Sequence, residues 1–251
     1  MAVEAQNDDW LRPDMGIRGV EVISTTRSDG VSTGSYEGLN VGDHVGDSDQ
    51  AVERNRRKLH EKITSVRTIA WLRQVHGTRV IHAPSEYQEG VEADAVWSDE
   101  AGFACAVMTA DCLPVVLADN EGQCVAAVHC GWRGLAGGIL KRTIEAMPVT
   151  AEHLVAWLGP AIGPSAFEVG AEVLATFYLA EGDIAVHPIP GSNDKYFLDL
   201  NVLAGRQLAE LGLDPNHILG GDTCTFSDAS RFYSYRRDGQ TGRMATLIIK
   251  K

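Results

Sequence analysis

Residues 109–134 read TADCLPVVLADNEGQCVAAVHCGWRG. Two apolar runs lie in it, Leu113 to Ala118 and Cys124 to Cys130, separated by a polar turn. Short apolar runs bounded by turn residues read as buried strands. Successive side chains of a strand point to opposite faces. Cys124, Ala126, Val128 and Cys130 therefore share one face, and Val125, Ala127 and His129 the other. Gly131 ends the second run and GWRG leads into a helix, which places His129 at a strand end, where sites commonly assemble in sheet-containing folds.

Similar runs recur outward from this stretch: Gly19 to Thr25, Thr68 to Leu72, Phe103 to Thr109, His153 to Leu158 and Met244 to Ile249. Helical patterns lie between some of them. Asp47 or Ser48 caps a helix running to about Lys62, with Val52, Leu59 and Ile63 on its buried side. Leu135 to Met147, Ala171 to Ala180 and Asn201 to Leu211 also read as helices. Consecutive strands without helices across residues 66–130 suit a mixed sheet better than a βαβ repeat. The expectation is an α+β fold of mixed β-sheets flanked by helices: one catalytic domain over residues 16–251, after an N-terminal tail of residues 1–15.

The 251 residues are 44% hydrophobic and 22% charged, ordinary for a soluble globular protein, and no apolar run is long enough to span a membrane. The acidic, polar start MAVEAQNDDWLRPD lacks the features of a secretory signal, so a cytoplasmic location is expected. Five cysteines in a mid-sized chain point to free thiols or metal ligands rather than disulfides. The net charge of −12 argues against a nucleic-acid surface and makes local basic clusters informative.

Three residues occupy comparable strand-end positions. His129 is one. Cys112 follows FACAVMTA and precedes Leu-Pro, where Pro114 is expected to interrupt pairing and turn the backbone. His76 ends IAWLRQV and is followed by Gly77. Two imidazoles and a thiolate make a three-ligand zinc site with a fourth position open, the arrangement of a catalytic rather than a structural zinc. The spacing carries no short-range metal signature. Ordinary core residues, or a Cys112 nucleophile with His129 as its base, stand beside the metal reading. Cys105, Cys124 and Cys130 are read as core.

The motifs QVHG around His76, TADCLPV around Cys112 and H-x-GWRG at His129 resemble those of the YfiH family. That family is also called laccase-domain or multicopper polyphenol oxidase-like, and it includes the bacterial peptidoglycan editing factor. The resemblance spans nearly the whole chain, from TTR and VSTGSYEGLNVGDHVGD through ADAVWSD and LGPAIGPSAFEVG to SYRRDGQTGRMA. It implies a metal site of His76, Cys112 and His129 with zinc as the usual occupant, and a fold of sheets with flanking helices. Two departures stand out: Ser28-Asp29-Gly30 replaces a more glycine-rich turn, and Cys130 stands where the family often has Ala. Alternation turns Cys130 away from His129, so it is expected to be a tolerated small residue.

A zinc so held lowers the pKa of water toward neutrality, which suits attack on a purine C6 or on an amide carbonyl. The resemblance implies phosphorolysis of adenosine, inosine, guanosine and methylthioadenosine, together with adenosine deamination. The implied partners are a small nucleoside and phosphate. Arg236 and Arg237 in FYSYRRDGQTGR are candidates for phosphate, because a guanidinium fork binds two oxygens at once. Strand alternation there would keep them out of one shared pocket. Phe232, Tyr233 and Tyr235 are candidates for stacking on a purine. Arg133, beginning a helix, and Asn40 and His44, in a Gly/Asp-rich loop, are further substrate-binding candidates. Asp111 is a candidate acid/base or a partner that orients a ligand.

Other readings draw on the same residues. Eight histidines without an H-x-H pair argue against a trinuclear copper cluster, while a single Cu2+ at the zinc site would give polyphenol oxidation as a side reaction. Hydrolysis of an L-Ser amide in a UDP-muramoyl cell-wall precursor would use the same metal. A metal-free Cys-His hydrolase leaves His76 unexplained. A non-catalytic zinc-stabilised module needs a fourth protein ligand, for which His44 is the one candidate.

Overall fold

The computed structural model describes residues 9–63, 65–180 and 182–251. Thirteen strands follow in chain order: β1 Val20–Ser24, β2 Thr68–Ala70, β3 Val80–His82, β4 Ala95–Ser98, β5 Phe103–Thr109, β6 Leu113–Asp119, β7 Val125–Cys130, β8 Leu154–Leu158, β9 Glu168–Gly170, β10 Val186–Pro188, β11 Lys195–Leu198, β12 Ile218–Gly220 and β13 Met244–Lys250. The helices are α1 Asp49–Glu61, α2 Ala83–Glu86, α3 Trp132–Ala136, α4 Ile139–Ala146, α5 Ala171–Thr176, α6 Leu200–Glu210 and α7 Tyr235–Asp238.

The strands form three sheets, ordered β1-β13-β5-β2, β10-β11-β9 and β12-β8-β6-β7-β4-β3. Pairings β2–β5, β3–β4 and β8–β12 are parallel and the others antiparallel, so the larger sheets are mixed, as α+β chemistry without a βαβ repeat requires. The four- and six-stranded sheets face each other. Cys105, Val107 and Ile248 of the first pack with Val96, Val116, Val125 and Ala127 of the second in one apolar layer. The outer face of the six-stranded sheet is covered by α4, α5 and α6, and that of the four-stranded sheet by α1 through Leu59.

The alternation along β7 appears in the packing. Cys124, Ala126, Val128 and Cys130 lie in the layer under the helices, while Val125 and Ala127 lie between the sheets, the side to which His129 belongs. All three expected core cysteines are buried. Burial raises the Cys105 and Cys130 thiols and pushes Cys124 up to about 12, so each stays a neutral apolar group.

Three local expectations change. Residues 66–130 do not make one sheet: β5 belongs to the four-stranded sheet and β6 to the six-stranded one, so Ala110-Asp111-Cys112 is the crossing between layers. Pro114 does not interrupt pairing. It lies inside β6 opposite His129, and its carbonyl accepts from the Gly159 N–H. The helix expected over Leu135 to Met147 is two helices, α3 and α4, parted at Gly137-Gly138, where Gly138 adopts φ 82°. The expected tail falls partly on residues 1–8, which lie outside the described residues. Of the rest, Trp10 and Met15 are buried and Leu11 pairs with Ser24.

Candidate metal centre and cavity

Cys112 sits where the chain leaves one sheet for the other, and that crossing needs an unusual backbone: Asp111 has φ 91°. Such strain in a non-glycine residue persists only where surroundings hold it. The Asp111 carboxylate accepts from Thr225 Oγ1 at 2.7 Å, Ser234 Oγ at 3.0 Å and the Arg236 N–H at 2.7 Å, and its carbonyl accepts from the Ile162 N–H. Asp111 thus ties three loops to the crossing and shapes the wall beside Cys112.

His76 also has positive φ, 59°. Its loop is held twice. The Gln74 side chain donates to the Met108 carbonyl and accepts from the Met108 N–H, imitating a strand partner for β5 four residues before Cys112. The Asp94 carboxylate accepts from the N–H groups of Val75, His76 and Gly77. Asp94 is fully buried, and its Oδ1 lies 2.8 Å from His129 Nδ1. That bond points Nε2 of His129 toward the other two side chains, the arrangement in which a carboxylate fixes the orientation of a metal-binding histidine.

His76, Cys112 and His129 therefore meet, with one potential ligand atom from each and all three within 4.8 Å of one another. Cys112 Sγ lies 3.9 Å from His76 Nε2, and the two imidazoles meet edge to face at 4.8 Å. Among the described residues this is the one cluster of three or more such groups able to hold a metal ion. Burial opposes charge on Cys112 and His129, but each favours the charged form of the other. Cys112 is drawn down to about 6 and His129 up to about 9, the latter helped by Asp94. A thiolate beside two imidazoles is the donor set zinc takes, and copper accepts it too.

Gly131 supplies an independent test of fit. A Cβ there would lie 3.0 Å from His76 Cδ2, 3.2 Å from Cys112 Sγ and 3.5 Å from His129 Nε2, in the space among the three ligands. Its φ of −61° suits any residue. Gly131→Ala is therefore expected to keep the fold, with a melting temperature within a few degrees of the parent, and to weaken metal binding by about tenfold or more. Full metal content by mass spectrometry under competing chelator would show that the ion does not use this space.

The cluster opens into a cavity of about 470 Å³, within the range for small-molecule sites. Met108, Ile162, Phe167 and Leu200 give it apolar walls, and His44, Arg133, Tyr235, Arg236 and Arg243 add polar groups. Arg133 stacks on Trp132, and Arg236 over Phe167 while donating to the Glu168 carbonyl. Two expected residues lie off the cavity. Arg237 donates to the carbonyls of Thr225, Phe226 and Phe232 and pairs with Asp238, and Asn40 is buried beneath the loop it belongs to. Arg236 and Arg237 do diverge, but as members of the helical turn α7 rather than of a strand. Phe232 and Tyr233 are fully buried, leaving Tyr235 as the exposed aromatic of that cluster.

Asp94, Gln74 and Arg243 were missed from sequence. An acid preceding the apolar run AVW was the available signal for Asp94. Nothing local distinguishes Gln74 or Arg243.

The pattern of the family described as multi-copper polyphenol oxidoreductase laccase matches residues 21–251. A purine nucleoside phosphorylase of Pseudomonas aeruginosa is 47% identical over 242 residues, covering 95% of this chain and 97% of the relative. The purine nucleoside phosphorylase YfiH of Escherichia coli is 44% identical over 239 residues, 95% and 96% of the two chains. This chain belongs to the YfiH family. The crystal structure of a Neisseria meningitidis protein superposes with a TM-score of 0.91 at 43% identity, covering 97% of this chain and 99% of that one. YlmD from Geobacillus stearothermophilus gives 0.89 at 29% identity, covering 99% and 98%. The YfiH fold is thus shared along essentially the full length, and the His-Cys-His cluster lies inside it. No helix of the described residues is long and apolar enough to cross a membrane.

Proposed function

We propose that this YfiH-family chain is a cytoplasmic, metal-dependent purine nucleoside phosphorylase that also deaminates adenosine. The observation that carries the reading is that His76, Cys112 and His129 cluster in the wall of a cavity large enough for a nucleoside, which Arg133, Arg236 and Arg243 also line, in an acidic protein. The naming of the Pseudomonas aeruginosa and Escherichia coli relatives as purine nucleoside phosphorylases supports it.

Phosphorolysis breaks the bond from the purine nitrogen to C1′ and forms a bond from C1′ to a phosphate oxygen; the base leaves with the electron pair and takes up a proton. Phe167 and Tyr235 offer the faces against which a purine stacks, and the apolar walls exclude water from the sugar. A guanidinium lining the cavity holds the anionic co-substrate, and Asp111 fixes the backbone of Arg236. Asp94 holds His129 through Nδ1, so that Nε2 is free for the ion. His76, Cys112 and His129 would hold zinc, which when bound would supply Lewis acidity and activate water near neutral pH, the chemistry that deamination at purine C6 needs.

Product analysis of zinc-loaded protein given adenosine, with and without phosphate, tests this. Adenine is expected only with phosphate, and inosine in either case; the absence of both would overturn the proposal. The drawn-down Cys112 thiol beside a cationic His129 favours one second reading, a metal-free Cys-His enzyme. Chelation separates the two: activity is expected to vanish with the metal and return with zinc, whereas a metal-free enzyme would be indifferent.

A further inference from the structure

Arg243 differs from the other cavity arginines. Arg133 and Arg236 are exposed, where water screens a charge, whereas Arg243 is half-buried, where desolvation lowers its hold on the proton. No carboxylate of the described residues lies within ion-pair distance of it. Nη1 donates to the carbonyls of Thr241 and Gly242, both at 3.0 Å. Nε and Nη2 donate to no acceptor among the described residues. These two N–H groups form one edge of the guanidinium fork, the edge that meets two oxygens of an oxyanion in parallel.

The side chain is held in place rather than loose. A Cβ on Gly42 would come within 2.7 Å of Arg243 Cγ, so only glycine leaves room for the stem. Asn40 Oδ1 accepts from the N–H groups of both Gly42 and Arg243, clamping the two loops together. Asn55 donates in turn to the Asn40 carbonyl and secures that loop on α1. This assigns buried Asn40 a part in placing Arg243 instead of touching a ligand.

Arg243 also stands at a junction. Beside the main cavity is a second compartment of about 300 Å³, and His44, Tyr235 and Arg243 line both. His44 turns Nδ1 toward Asp43, which leaves Nε2 without a partner among the described residues. Cys112 and Asp111 favour the charge only from beyond ion-pair distance, and a half-buried cation lining a cavity, with one fork edge lacking an acceptor among the described residues, is costly to maintain unless an anion completes it.

We infer that Arg243, with His44 beside it, forms the oxyanion subsite of this cavity and binds the phosphate co-substrate through its Nε and Nη2 edge. The inference rests on the phosphorolysis reading for the role of the anion, but the subsite itself is a statement about phosphate binding.

Two variants of the zinc-loaded protein test it, Arg243→Gln and Arg243→Lys, beside Arg133→Gln as a rim control. Steady-state rates are measured with phosphate and adenosine varied separately. For Arg243→Gln the KM for phosphate is expected to rise about ten- to hundred-fold with the KM for adenosine little changed, as loss of a charge-assisted pair of bonds predicts. Arg243→Lys, which keeps the charge and loses the fork, should fall between Gln and the parent, and Arg133→Gln should change the phosphate KM by less than about threefold. An unchanged phosphate KM in folded Arg243→Gln overturns the inference, as does an equal effect at Arg133.

Phosphorus NMR of inorganic phosphate titrated with each protein separates this inference from the function on which it rests. If the parent cleaves no nucleoside but broadens the phosphate resonance, and Arg243→Gln does not, the phosphorylase reading fails and the subsite stands. Equal broadening by both proteins, or none by either, removes the subsite whatever the enzyme does.

Discussion

Cys112→Ala is expected to purify without bound metal and without nucleoside-cleaving or deaminating activity, while Cys130→Ala keeps both. The two thiols are equally available in the sequence and opposite in the structure. Cys112 Sγ faces His76 and His129, and its thiolate is the one anionic donor among the three ligands. Without it two imidazoles remain, and a three-ligand ion becomes a two-ligand one. Cys130, next in sequence to His129, is fully buried in the layer under α4 and α6. Its replacement should cost about 1 kcal/mol of stability and nothing in metal content. Metal analysis after gel filtration, with the product assay, checks both. Stoichiometric zinc in folded Cys112→Ala would remove the basis for the centre.

The second large effect belongs to Asp94, a residue that touches no ligand atom expected to face the ion. Its carboxylate receives three backbone N–H groups and His129 Nδ1. Asp94→Asn preserves the size but turns an NH2 group toward donors. Buried donors left unpaired cost about 1–3 kcal/mol each, so a loss of about 3 kcal/mol of stability is expected. A ten- to hundred-fold weaker metal affinity should accompany it, because His129 loses its orienting partner. Burial alone would raise the Asp94 carboxyl, but the bonds from His129 and the backbone N–H groups outweigh it and hold it below the ordinary value. A carboxyl lowered in the folded state contributes stability fully above its unfolded pKa of about 3.9 and loses it as pH falls through the folded value. The stability gap between parent and Asp94→Asn should therefore be widest near neutral pH and close in acid. Denaturant unfolding between neutral pH and about pH 3 reads this directly, and a gap independent of pH would show that the ionised carboxylate is not what holds the loop.

The legible parts of the site and fold share one property: they depend on a short local period or on a contiguous motif. The faces of β7 follow from alternation over seven residues, 124–130, and so did the sorting of Cys130 from His129. Helix α1 follows from a cap and three apolar positions, of which Val52, Leu59 and Ile63 are all buried. His76, Cys112 and His129 stand out because each ends a strand-like run beside a turn, and because their motifs resemble one family. The expectations that changed depended on what lies across the fold. Pro114 reads as a breaker until β7 is seen to pair with it. Phe232 and Tyr233 read as a stacking surface until their burial against Ala110 and Met244 is known. Arg236 and Arg237 are chemically identical in sequence, and only the carbonyls around Arg237 turn it inward.

By itself the sequence determined the strand faces and singled out two imidazoles and a thiol able to hold a metal, because alternation and donor chemistry are properties of single residues and their near neighbours. The tertiary structure decided the crossing at Asp111 from one sheet to the other, the pinning of the His76 loop to Met108 and Asp94, and the edge of Arg243 left without an acceptor among the described residues. Each of these is set by groups distant along the chain. Hydrogen bonds among buried groups are satisfied by whichever donor the packed layers bring within reach, and a linear pattern does not encode which one that is.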